Sequence, residues 1–418
     1  MPEALHLKIV MSDNVILLGA GASHNAGVPL MSNFIDTMWN IARTGRCYGK
    51  VISDADKKVL ENALGVREDL DGYHGRASFD MWNIEDLLSI LSFNALAGGR
   101  KEKNRLEAVT KGIAKTIELT CQVSHNGSLD SDPKEGRIAI YENFWVSLIN
   151  FAKARDSKIP AIVTFNYDLV LERSLLRVLT GSKYFNSDNN RLPWKRLVIR
   201  YGAGSFPEAE FGLKISQWER WGEEDRIPRR TSGPRLIEIE EAEENDASET
   251  LEIQIYKLHG SLNFARPQRG RPAKHDAAHR IVTALDDPLI LPPVFNKATD
   301  SLGGTTWADA LNAVRACKNL IVCGYSLPAT DIYMQYFLKA ALGPNQDLNK
   351  IFVFDPVLFR SDKGDEAKAL KKRYSSNFSE SIQHRISFDP GKSQEGKGGT
   401  FEHLVFLLAK YPMEILFG

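Results

Sequence analysis

Asn14–Pro29, NVILLGAGASHNAGVP, decides how the rest of the chain is read. Val15, Ile16, Leu17 and Leu18 form a short apolar run of the kind a strand buried on both faces of a parallel sheet requires. Gly19 and Gly21 then break the chain sharply. Lacking a Cβ, they permit unusual backbone angles and close approach to the peptide N–H groups. A helix starting at about Gly21 would aim its free N–H groups and positive dipole end at an anion, with the Ser23 hydroxyl beside it. The turn is therefore either a nucleotide-phosphate cradle or a structural strand-to-helix turn. His24 stands where a dinucleotide fingerprint has its third glycine, which counts against an ordinary hydride-transfer site.

The chain has 418 residues, 43% hydrophobic and 25% charged, the composition of an ordinary globular protein of two to three domains' length. Lys plus Arg and Asp plus Glu balance at 53 each, so no global field draws the chain to nucleic acid or anionic membrane. Asp13 and Asn14 interrupt the N-terminal apolar run, and no stretch approaches the length of a membrane span; a cytoplasmic protein is expected. Cys47, Cys121, Cys317 and Cys323 contain no C-x-x-C pair, so neither a zinc knuckle nor a disulfide framework is indicated.

Downstream of the turn, Phe34, Met38 and Ile41 predict an amphipathic helix over Ser32–Thr44. Cys47–Phe79 is polar with little strand character. Asn83 reads as an N-cap, with Glu85 and Asp86 in the first turn and Ile84, Leu87, Leu88 and Leu91 on one face. Further helices are expected over Arg105–Cys121 and Tyr141–Arg155. The result is a mainly helical insertion, residues 45–156, that either only packs or closes over the ligand of the glycine turn.

Ala161–Thr164 reads as a second buried strand, leaving into Phe165-Asn166-Tyr167-Asp168, where Asp168 can cap the next helix. Gly181–Thr250 is the least regular region and ends in the acidic run Ile237–Thr250, expected to be a solvated loop. Glu252–Leu258 has strand alternation and delivers His259-Gly260-Ser261. Arg266–Arg280 is basic, and its His275 and His279, without a third ligand, read as a solvated loop or short helix. Leu289–Leu291, Asn319–Cys323, Ile351–Phe354 and Ile386–Phe388 are further strands, followed by a helix over Thr400–Leu408. No internal repeat is present.

These segments predict an α/β fold: a doubly wound, Rossmann-like parallel sheet with core strands within residues 14–30, 157–180 and 252–390. The helical insertion and an irregular insertion over residues 181–251 interrupt it. Polar loops at the strand ends, GAGAS, TFNYD, LHGS and GYS, would converge on one crevice. That crevice would hold an anion cradle, an amide, a carboxylate and an imidazole.

The combination of GAGAS with Ala26-Gly27-Val28-Pro29, then TFNYD, LHG and GYS, resembles the catalytic core of the sirtuins, and more closely the divergent prokaryotic sirtuin-like proteins of antiviral defence. Asn83-Ile84-Glu85-Asp86-Leu87-Leu88 and Leu289-Ile290-Leu291-Pro292-Pro293 also look like recurrent blocks of that branch. The resemblance runs from about Asn14 to Asp355. Two departures matter. The two cysteine pairs of the classical zinc module are missing between His259 and Gly324, so no zinc is expected. Leu30-Met31-Ser32 stands where the classical motif continues Asp-Phe-Arg.

The resemblance therefore implies NAD as substrate, cleaved at the nicotinamide–ribose bond, and speaks against protein deacylation. By match to the family's motifs, Gly19, Ala20, Gly21 and Ser23 would hold the diphosphate, within a nucleotide-binding set that includes Pro29. Asn166 would orient the ribose and attacking water, and Asp168 would support the nicotinamide ribose or its loop. His259, whose imidazole ordinarily titrates near neutrality, would be the general base. Gly324 and Ser326 would line the far side of the phosphates, and Asp355 would bind the adenosine ribose. An NAD-depleting defence effector must be held inactive until triggered, so a homo-oligomer and a separately encoded partner, such as a HerA-type ATPase, are expected. A module that binds NAD or a derived nucleotide without consuming it is the alternative.

Overall fold

Numbered in chain order, the strands are β1 (Asn14–Leu18), β2 (Arg46–Cys47), β3 (Lys50–Val51), β4 (Ala161–Thr164), β5 (Arg196–Arg200), β6 (Glu210–Glu219), β7 (Arg235–Glu241), β8 (Thr250–Lys257), β9 (Gly260–Ala265), β10 (Pro288–Ile290), β11 (Asn319–Cys323), β12 (Lys350–Phe354) and β13 (Ile386–Ser387). The computed structural model describes residues 12–70, 72, 80, 82–123, 135–155, 158–180, 184–185, 192–202, 210–219, 235–241, 250–265, 281–291, 304–329, 331–391, 396–412 and 415.

The main sheet runs in the order β13-β12-β11-β1-β4-β8-β5-β6-β7. From β13 to β5 every pairing is parallel, whereas β6 and β7 add antiparallel strands at one edge. From β1 in the middle the chain adds β4, continues to the outer strands β5, β6 and β7, returns to insert β8 between β4 and β5, and then crosses to the other flank at β11. The reversal of winding falls between β1 and β11, the place where open α/β sheets form a ligand crevice.

Parallel strands need helical crossovers, and these cover both faces. On one face Ile16, Leu18 and Ile162 pack with the helices Phe34–Thr44, Ile84–Ala97, Arg100–Thr120, Glu135–Arg155, Val170–Thr180 and Phe401–Lys410. On the other, Val15, Leu17, Ala161 and Val163 pack with Gly304–Ala316, Ile332–Leu342 and Gly364–Ser375. β1 and β4 are buried along their whole length because successive side chains feed opposite cores. Each fully buried Leu, Ile or Val there contributes roughly 1.5–3 kcal/mol.

The register carries this arrangement to the crevice. Leu18 is paired with both Cys323 and Thr164, Thr164 with Lys257, and Cys323 with Phe354. Consequently the loops after β1, β4, β8, β11 and β12 all leave the sheet at one level.

Three regions differ from the expectations above. Residues 181–251, expected to be irregular, contain β5, β6 and β7, and Ile237–Glu241 of the acidic run lies within β7 rather than in a loop. An Ile-Glu-Ile-Glu alternation has the period of a strand, and its charge suits the edge position that β7 occupies. Asp54–Leu70, within the polar stretch Cys47–Phe79 to which no particular helix was assigned, is a helix that buries Leu60, Ala63 and Leu64. Finally, no long helix starts near Gly21: a single α-turn, Ala20–Ser23, passes into a 3₁₀ turn, His24–Ala26, and stops at Gly27 with φ +90°. The dipole of a full helix is therefore not available at this turn. Residues 242–249, His275 and His279 lie outside the described residues. Among the described residues, no helix is long and apolar enough to cross a membrane.

Candidate active site

A cavity of about 400 Å³ opens at the strand ends. Its wall brings together Ala20, Ser23 and Pro29 from the first turn, Asn166 and Asp168 after β4, His259 after β8, and Gly324 and Ser326 after β11. Four loops distant in sequence thus meet as the motif order predicts.

Gly19 and Gly21 stand behind this wall. The Gly19 N–H donates to Cys323 O at 3.0 Å and the Gly21 N–H to Gly324 O at 3.1 Å. A Cβ at Gly19 would lie 2.4 Å from Gly324 O, and one at Gly21 would lie 2.9 Å from Gly324 Cα. Their missing side chains therefore let two loops touch across the winding reversal. This corrects the simple cradle: both N–H groups are spent inside the protein, and Ala20 and Ser23 are the parts of the turn that face the cavity.

Asn166 braces the same turn. Its Nδ2 donates to Gly19 O at 3.0 Å and to Ser23 Oγ at 2.8 Å, while its own N–H is held by Thr164 Oγ1 at 3.1 Å. With both amide protons directed at the turn, Oδ1 is the side-chain acceptor left for a ligand hydroxyl or water. Tyr141, from the helical insertion, fastens the turn from the other side. Its hydroxyl donates to Ala22 O at 2.8 Å and accepts from Ala26 N–H at 3.1 Å.

Asp168 caps the helix Val170–Thr180, its Oδ1 accepting from Val170 N–H at 3.0 Å. Its carbonyl accepts from Lys257 Nζ, and Lys257 is paired with Glu172 at 3.0 Å. Both of these side chains are essentially inaccessible, and Tyr201 Oη donates to the same Glu172 oxygen at 3.1 Å. A buried ion pair so placed fixes the backbone that presents Asp168.

His259 is buried among aromatic rings, with centroids 5.3 Å from Phe165, 6.1 Å from Tyr167 and 6.4 Å from Trp307. Trp307 Nε1 donates to Leu258 O at 3.0 Å, and His259 O accepts from Leu291 N–H at 2.8 Å, which holds the loop at both ends. Gly324, at φ +69°, makes the turn out of β11. Tyr325 then donates its hydroxyl to Asp331 at 2.7 Å.

Asp355 is not part of the cavity wall. It caps the 3₁₀ turn Pro356–Phe359 through Val357 N–H at 2.9 Å, and Gly399 presses against its backbone. Burial raises its carboxyl above the ordinary range, partly offset by that N–H bond and by Arg373.

The wall also contains residues to which the sequence reading assigned no role. Asn83 and Glu85 enter from the helical insertion, which therefore forms part of the cavity wall. The Asn83 side chain accepts from Glu85 N–H at 2.9 Å, the cap expected from the sequence. The block itself was visible; its distance in sequence from the other loops hid its place. Burial pushes the Tyr167 phenol well up, helped by the charge of Glu85, and burial with Asp331 does the same for Tyr325. Both hydroxyls stay protonated donors at neutral pH. The wall thus presents Glu85, Asp168, Asp331 and one imidazole, and among the described residues neither lysine nor arginine. Such a surface suits a ligand with positive charge at its reacting end.

No family model matches the chain, and no curated protein matches it.

Proposed function

We propose that the chain is an NAD hydrolase that cleaves the nicotinamide–ribose bond. The observation that carries this reading is the convergence of Asn166, Asp168 and His259 with Ala20, Ser23, Gly324 and Ser326 in one cavity at the winding reversal of the sheet.

The reaction is NAD⁺ plus water giving nicotinamide, ADP-ribose and a proton. Departure of nicotinamide leaves oxocarbenium character on the ribose, so the site must fix the sugar, direct a water and tolerate positive charge. Asn166 Oδ1 takes a ribose hydroxyl or the water. His259, held in its aromatic box, accepts the proton released as water attacks the anomeric carbon. The acidic wall favours the cationic ring in the ground state and the developing charge on the sugar. The protein acts as the effector of a defence system, in an assembly of several copies regulated by a separately encoded partner such as a HerA-type ATPase.

The test is release of nicotinamide from NAD by the purified protein, alone and with that partner. His259→Ala and Asn166→Ala should each lower kcat by about a hundredfold or more. Unchanged release in both variants would refute the assignment.

One observation favours a second reading, a module that binds the nucleotide without consuming it: both Asn166 amide protons serve as a structural brace for the glycine turn. That reading predicts ligand-dependent thermal stabilisation with the ligand recovered intact.

A further inference from the structure

The acidic character of the cavity poses a problem for a dinucleotide. Its pyridinium end finds carboxylates, but its diphosphate is an anion, and the wall offers it no cationic side chain among the described residues. Gly19 and Gly21 do not supply the deficit, because their N–H groups are taken by Cys323 O and Gly324 O. An anion there needs charge brought in from beside the wall.

Arg373 stands at that place. It lies in the last turn of the helix Gly364–Ser375, and its Nε donates to Ser326 O at 3.0 Å. Ser326 is itself part of the cavity wall. The next residue reinforces the attachment: the buried Tyr374 donates its hydroxyl to Tyr325 O at 2.7 Å. Two successive side chains therefore tie the helix end to the Gly324-Tyr325-Ser326 loop. Of the Arg373 guanidinium only Nε is engaged among the described residues, leaving the terminal nitrogens as donors. Asp355, whose carboxyl feels the Arg373 charge, is committed to its cap through the Val357 N–H.

We propose that Arg373 is the diphosphate-binding side chain of this site, and that an adenine dinucleotide lies with its phosphates over the Gly324-Tyr325-Ser326 loop and its pyridinium ring toward the acidic wall. The proposal rests on the dinucleotide reading and deepens it. Arg373 is a binding residue, attached to the cavity through its Nε bond to Ser326 O. A planar guanidinium fixed through Nε presents its terminal nitrogens as a fork, the geometry that matches phosphate oxygens.

The experiment is titration of ADP-ribose into wild type, Arg373→Ala, Arg373→Gln and Arg373→Lys by calorimetry, with NAD turnover followed in parallel. Gln retains a donor toward Ser326 O while removing the charge, which separates loop support from anion binding. Ala and Gln should weaken ADP-ribose tenfold to a hundredfold, and Lys should fall between them and wild type. In turnover, KM for NAD should rise by the same factor with kcat within threefold, and cleavage of nicotinamide riboside, which lacks the diphosphate, should be unaffected. Equal ADP-ribose affinity in wild type and Arg373→Gln would overturn the proposal, as would a wild type that does not bind ADP-ribose at all. Weakened ADP-ribose binding in the variants, with no nicotinamide release by wild type or variants even in the presence of the activating partner, would uphold Arg373 and refute the hydrolase reading.

Discussion

A Cβ added to Gly324 would lie 2.3 Å from the Ala22 amide nitrogen, on a residue whose φ of +69° already disfavours an L side chain. Gly324→Ala should therefore destabilise the protein by about 2 kcal/mol or more, read as a lower urea midpoint. An unchanged midpoint would mean that the contact between the two loops is not as described. Asp355 gives a prediction of opposite sign. Burial raises its folded-state carboxyl above the unfolded value, so between those values the folded protein holds the proton that the unfolded chain has lost. Its contribution is fully present below the unfolded value and is lost as pH rises through the folded one. Asp355→Asn keeps an oxygen for the Val357 N–H but cannot ionise. Denaturant unfolding from about pH 4 to pH 7 should thus show the variant gaining on wild type as pH rises. A gain as pH falls would contradict the buried environment.

At the scale of elements, the ion pair of Lys257, at the end of β8, with Glu172, in the helix Val170–Thr180, holds strand and helix together behind Asp168. Lys257→Met would leave a buried, unpaired carboxylate at Glu172 and should cost about 3–5 kcal/mol. The double variant Lys257→Met, Glu172→Leu should recover much of that loss. If the double variant is as unstable as the single one, the cost lies in packing rather than in the stranded charge. The elements themselves were unevenly legible in the sequence. β4 and β11 match the segments read for them end to end and β1 begins one residue earlier, at Asn14, because strands buried on both faces read as near-continuous apolar runs. Asn83, Asp331 and Thr400 cap their helices as their types suggest. β5, β6 and β7 were hidden by composition: Arg, Glu and Lys within a two-residue period look like solvated loop until a neighbouring edge is there to pair with. The helix expected at about Gly21 is only the single turn Ala20–Ser23, because the chain passes straight into the 3₁₀ turn His24–Ala26, which Gly27 ends at φ +90°.

For the molecule as a whole, the candidate site lies where the winding reverses between β1 and β11. The parallel register brings the strand-end loops to one level, and the helical insertion supplies Asn83 and Glu85 above them. The site was legible to the extent that it depends on strand ends: Ala20, Ser23, Asn166, Asp168, His259, Gly324 and Ser326 meet as their motifs imply. Gly19 and Gly21 turned inward, since no sequence pattern tells a glycine that admits a ligand from one that admits another loop. Asp355 has a strand-end position like the others, but its cap and Gly399 occupy it. Glu85 and Arg373 come from helices outside the sheet, and only the packed molecule places them. This convergence is proposed to cleave a dinucleotide. Proton NMR of NAD incubated with the wild-type protein and its activating partner tests it most directly. Nicotinamide and ADP-ribose should appear in equal amounts, and about a hundredfold or more slowly with His259→Ala; NAD that raises the melting temperature yet stays intact in the activated wild type would contradict the claim.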